Sequence, residues 1–140
     1  MKFEELQNEV REICQPIIDA YDGVVAEFNE KAEKSGLVSA IHWQGDDVAT
    51  AYGRRKEAMQ WLDGITKADV GTFKADYCLE RIQEEYRFIY TLNNSTSPFS
   101  NAVADYQAIG KQSFIRGYVT SPLQLIEKAI RKYQEENENV

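Results

Sequence analysis

Residues 3–24, FEELQNEVREICQPIIDAYDGV, decide the fold class. Phe3, Leu6, Val10, Ile13, Ile17, Ala20 and Val24 follow one another in steps of three and four. That period puts one apolar side chain per turn on a single helix face. Phe28 and Ala32 continue the stripe, and Ser35-Gly36 reads as a stop. Glu27 with Lys31 and Glu30 with Lys34 are i,i+4 pairs in the favourable order, each adding a few tenths of a kcal/mol. Pro16 interrupts the pattern, because an interior proline removes one hydrogen bond and crowds the carbonyl four residues earlier. Either two helices meet there or one helix kinks. The stripe keeps its phase through Pro16, which favours one long helix kinked near that residue. The near-heptad spacing suits a homodimer or burial within the same chain.

Downstream, 37–43 (Leu-Val-Ser-Ala-Ile-His-Trp) is apolar without helical spacing and reads as a short strand, a packed connector or a short helical turn. Asp46 or Asp47 is the expected cap of a helix over 47–63, with Val48, Ala51, Tyr52, Met59 and Leu62 inward and Gly64 as its end. After a start signal at Thr66 or Thr72, a helix from Phe73 to about Leu92 has Phe73, Tyr77, Cys78, Ile82, Tyr86 and Ile89 on its stripe. Residues 93–97 are the most polar stretch and read as an exposed loop. A helix over 98–109 is expected to stop at Gly110, with 111–118 short or irregular. Ser121-Pro122-Leu123-Gln124 is a capping box with proline in the first turn. It opens a helix over 122–136 with Leu125, Ile126, Ala129, Ile130 and Tyr133 inward, followed by a frayed acidic tail at 137–140. The expectation is an all-α, single-domain bundle of five or six helices covering 1–140.

Composition narrows the chemistry. The 140 residues carry a net charge of −7 and a single histidine, His42. One histidine excludes H-E-x-x-H zinc chemistry and the Glu-x-x-His pairs of a di-metal bundle. Cys14 and Cys78 form no C-x-x-C pair, so free thiols in a reducing compartment are expected, with one distant disulfide as the alternative. The chain starts Met-Lys-Phe-Glu-Glu without an apolar leader, and no apolar run is long enough to span a bilayer. A cytoplasmic location is the resulting expectation. Nine acidic and four basic residues fall in 1–34, and no segment is strongly basic, which disfavours direct nucleic-acid binding. There is no P-loop, G-x-G-x-x-G or G-x-S-x-G, and no cofactor or metal is expected.

Four features could carry function. Tyr52-Gly53-Arg54-Arg55-Lys56, with Trp61 further along, could chelate an anion and stack on a base, although three consecutive positions spread widely around a helix. His42-Trp43 could serve a ligand from a connector, or Trp43 could pack onto the domain as a seal. Glu80, Glu84 and Glu85 with Arg81 and Arg87 lie on the long helix, where Glu80 and Glu84 share a face at i,i+4 and could bind a divalent metal or do acid/base work, but the histidines of a di-metal site are lacking. Phe88 and Tyr90 add aromatics to every side of their helix, which suits an interface or a helix through the bundle centre. The expected function is a non-catalytic, acidic helical protein, a small regulator or inhibitor that binds another protein. Its small size and lack of signature motifs also suit accessory proteins of phages and mobile elements. Glu4, Glu5, Glu9 and Glu12 would supply an acidic docking face, with Phe88 and Tyr90 as apolar contacts. The alternative is a binder of a small anionic ligand, such as a nucleotide or cyclic nucleotide, held between helices by Arg54, Arg55 or Lys56 with Tyr52, Trp61, Trp43 or His42.

Overall fold

A computed structural model describes residues 1–88, 99–117 and 119–138. The described residues form five helices: α1 (Phe3–Ser35), α2 (Leu37–Lys67), α3 (Ala75–Tyr86), α4 (Phe99–Ile115) and α5 (Pro122–Glu138). The protein is an all-α bundle. No helix among the described residues is long and apolar enough to cross a membrane.

α1 passes through Pro16 as one continuous helix, about 50 Å long at 1.5 Å per residue. Gly36 alone separates it from α2, and its φ of 90° is a conformation that glycine adopts without steric cost. The chain reverses there, and α2 returns antiparallel along α1. Gln7 accordingly donates its side-chain amide to the carbonyls of Ile65 (3.0 Å) and Ala68 (3.3 Å), while the Tyr21 and Tyr52 rings meet at 6.1 Å.

The core lies in the half of this hairpin remote from Gly36. Leu6, Val10 and Cys14 of α1 meet Ala58, Trp61 and Ile65 of α2 there. Leu79 and Ile82 of α3, Phe114 and Ile115 of α4, and Leu123, Ile126 and Ile130 of α5 complete it. Each large side chain buried in this way contributes about 1.5–3 kcal/mol. Phe3, Phe73 and Tyr133 close the end of the core with ring centroids 5.1–5.9 Å apart. The Met1 amino group pairs with Glu136, so α5 runs antiparallel to the first half of α1. The Gln83 amide and the Tyr86 hydroxyl both donate to Glu127, tying α3 to α5.

Several expectations about individual elements change. Of the three readings of 37–43 the helical one holds, but as the first turns of α2 rather than a separate turn, so Asp46 and Asp47 are interior to that helix and cap nothing. α2 runs on through Gly64, and α4 runs on through Gly110. Glycine weakens a helix by about 1 kcal/mol relative to alanine, and packing overrides that preference here. The buried face of α2 also lies one residue away from the expected one. Ala49, Gly53, Glu57, Trp61 and Ile65 repeat every fourth residue, whereas Tyr52 is exposed and Val48, Ala51, Met59 and Leu62 are half-buried. A hydrophobic stripe drawn through α2 skips this face because two of its members are Gly and Glu.

α3 begins at Ala75, after a loop in which Asp69 Oδ1 accepts the N–H groups of Gly71 (2.8 Å) and Thr72 (2.9 Å), and it ends at Tyr86 rather than near Leu92. Tyr77 and Leu125, both expected inward, are exposed. The box at Ser121 forms as read: Ser121 N–H donates to Gln124 Oε1 at 2.8 Å and Gln124 N–H to Ser121 Oγ at 3.3 Å. Asn137 donates to the carbonyls of Met1 and Tyr133, and α5 extends to Glu138; residues 139–140 of the expected tail lie outside the described residues. The 93–97 loop and Tyr90 fall outside the described residues.

Candidate functional site

Toward Gly36 the hairpin lies beside α4, which runs parallel to α2: Val103 and Tyr106 are level with Val48 and Tyr52, and Lys111 is level with Glu57. The two helices approach closely where glycine removes the side chain. A Cβ added at Gly53 would strike the Gln107 carbonyl, and one at Gly110 would strike the Thr50 carbonyl. Nearer Gly36 the elements diverge and leave an apolar groove of about 460 Å³, within the size range of ligand and peptide-anchor sites. Tyr21 and Phe28 line it from α1, Ile41, Val48 and Tyr52 from α2, and Val103 and Tyr106 from α4. Beside the tyrosine hydroxyls, His42, Asp46 and Gln107 carry its polar groups, and no lysine or arginine is among its lining residues within the described part of the chain.

The same end exposes apolar side chains outside the groove. Val38 is 82% exposed, Trp43 66% and Leu37 60%. Trp43 therefore does not seal the domain; its ring lies edge-on to His42 at 4.9 Å, and both residues are exposed.

The structure disperses the expected anion cluster. Arg54 is half-buried and donates to Ser113 Oγ at 3.2 Å, and burial presses its guanidinium below the ordinary arginine value. Arg55 lies over the Tyr21 ring at 5.1 Å, and Lys56 is exposed. Trp61 is buried in the core with Arg81 over its ring at 4.7 Å. Of that set, only Tyr52 and His42 reach the groove. Glu5, Glu9 and Glu12 share a shallow concavity with Lys132 and Glu136, while Glu4 borders a different one with Lys2 and Gln7. Phe88 follows the end of α3 and carries Lys111 Nζ over its ring at 4.5 Å. Glu80 and Glu84 are both exposed. No group of three or more His, Cys, Asp or Glu residues converges to hold a metal ion among the described residues.

Two features were not anticipated. The α2 side of the groove had a legible signal: Ile41, Gly45, Val48 and Tyr52 follow helical steps of four and three. Treating 37–43 as a connector hides it. The second feature is Glu57, a carboxyl only 5% exposed on the buried face of α2. Its Oε1 lies 3.7 Å from Lys111 Nζ, and its Oε2 is buried without a hydrogen-bond partner. Desolvation, then the facing Glu85 carboxylate, raises its affinity for a proton.

Cys14 and Cys78 are free thiols, and burial pushes Cys14 up to about 12, which makes it unsuited to nucleophilic chemistry. No family model, curated protein or solved structure matches the chain.

Proposed function

We propose that the protein acts by binding another protein, as a small helical regulator or inhibitor, and that the groove near Gly36 is its docking surface. The observation that carries this reading is the apolar groove itself, which lies at the end of the hairpin remote from the core cluster. The core occupies one half of the hairpin, whereas the other half holds an open groove flanked by exposed Leu37, Val38 and Trp43. An apolar groove open to solvent is costly to leave in water and marks interaction sites. The fitting occupant is a segment with two or three apolar anchors and flanking basic residues. Asp46 lines the groove, and Asp22 and Asp47 are exposed on the helices that form it. The chain's net charge of −7 adds long-range attraction for such a segment.

The anionic-ligand alternative draws no support from the groove, whose lining includes neither lysine nor arginine. Panning a random peptide library against the wild-type protein and against Tyr106→Lys tests the proposal. Tyr106 is exposed enough for the substitution to leave the fold intact, which circular dichroism checks. Enrichment of apolar-plus-basic peptides that bind the wild type and lose at least tenfold in affinity for Tyr106→Lys supports the reading. Peptides that bind both proteins equally, or no enrichment at all, count against it.

A further inference from the structure

Six side chains from α2, α3, α4 and the residue just beyond α3 form a continuous row: Phe88, Lys111, Glu57, Glu85, Arg81 and Trp61. Glu57 lies at its centre, with its carboxyl within hydrogen-bonding reach of Glu85. Glu85 Oε1 is 3.8 Å from Arg81 Nε, and Glu85 Oε2, like Glu57 Oε2, is buried without a hydrogen-bond partner. Lys111 and Arg81 flank the pair and rest on Phe88 and Trp61. We propose that Glu57 holds a proton that it donates in a hydrogen bond to Glu85, and that this bond fastens the C-terminal end of α3 to α2 and so makes the seating of α3 responsive to pH.

Two carboxylates in contact in a dry site cannot both ionise cheaply. The neighbouring cations do not cancel that cost, because they are the more solvated members of the row. The Lys111 and Arg81 side chains keep 37% and 41% of their exposure, against 6% for Glu57 and 15% for Glu85. The charges acting on Glu57 are Glu85 and Arg81 of α3 and Lys111 of α4. From α5, Glu127 acts on Tyr86 rather than on the pair. The proton supplies the donor that lets one carboxyl bond the other. Without it, two negative charges face each other across the α2–α3 contact. The folded state therefore binds this proton more tightly than the unfolded chain does. Its contribution to stability is present at acid pH and is lost as pH rises above the ordinary glutamate value of 4.5 and through the raised folded one.

Glu57→Gln mimics the protonated Glu57 permanently, since its amide NH2 can donate to the Glu85 carboxylate, and Glu85→Gln supplies the same donor from the opposite side. Over the pH interval above the ordinary glutamate value of 4.5 in which Glu57 loses its proton, the melting temperature of the wild type should fall relative to both variants, which should melt higher at the upper end. In a Trp43→Phe background, Trp61 emission should shift to the red over the same interval, and the shift should vanish with Glu57→Gln. A readout on the unmodified chain is carbon-13 resonance of its glutamate carboxyls, one of which should titrate above the ordinary range. Parallel melting profiles, an unchanged red shift in Glu57→Gln, or glutamates that all titrate in the ordinary range would each overturn the proposal.

Discussion

Gly110 of α4 rests its α-carbon against the carbonyl of Thr50 in α2, and Gly53 does the same against Gln107 in the opposite sense. These two contacts fix how closely α4 can lie on the hairpin, and hence the width of the groove just beyond them.

A methyl group at either position must separate the helices. Gly53→Ala and Gly110→Ala are each expected to destabilise the protein by about 1–3 kcal/mol, the usual cost of forcing atoms into a packed contact. Gly23 and Gly64 lie within helices and have open space around the Cβ position. Alanine at those two positions should stabilise by about 0.5–1 kcal/mol. Urea unfolding of the four variants checks the contrast, and equal effects at all four would contradict it.

That contrast also shows what the sequence makes legible. The α1 stripe is readable because Phe3, Leu6 and Val10 are large, apolar and regularly spaced, and all three are buried. α2 is harder, because its packing uses Ala49, Gly53 and Glu57, residues that a hydrophobic pattern discounts. Gly64 and Gly110 look like stops because local propensity disfavours glycine in helices, and at Gly110 a partner backbone requires it. The groove was missed for a related reason. Its residues come from three helices, and their convergence depends on an α4 register that no local pattern encodes.

Pro16 lies inside α1 and is exposed. Pro16→Ala restores an N–H that can bond the carbonyl of Glu12 and relieves the ring clash there. The variant should gain up to about 3 kcal/mol of stability, read as a higher urea midpoint with unchanged helix content by circular dichroism. A loss of stability would mean that the proline is required for the path of α1.

The two thiols differ in burial. Cys14 is fully buried, whereas Cys78 is half-buried, and burial raises both above the ordinary thiol value. Under native conditions a disulfide reagent should modify Cys78 first and reach Cys14 only at the rate at which the core opens. Mass spectrometry of the time course, with Cys78→Ser as control, distinguishes the sites. Rapid labelling of Cys14 would contradict the placement of α1 in the core.

The Tyr86 hydroxyl donates to Glu127 Oε1 at 3.0 Å, and burial followed by this bond holds the phenol well above its ordinary range. Its proton is bound more tightly in the folded state, so the stabilisation is complete below about pH 10 and declines above it. Tyr86→Phe should cost about 1 kcal/mol at neutral pH and flatten the alkaline limb of the stability profile. Denaturant melts near neutrality and above pH 10 check both parts.

The most direct test of the docking surface is amide and methyl chemical-shift mapping as a selected apolar-plus-basic peptide is titrated into the wild-type protein. The account predicts shifts concentrated at Tyr21, Phe28, Ile41, Val48, Val103 and Tyr106. Shifts confined to the acidic concavity of Glu5, Glu9 and Glu12, or no saturable shifts at all, would contradict it.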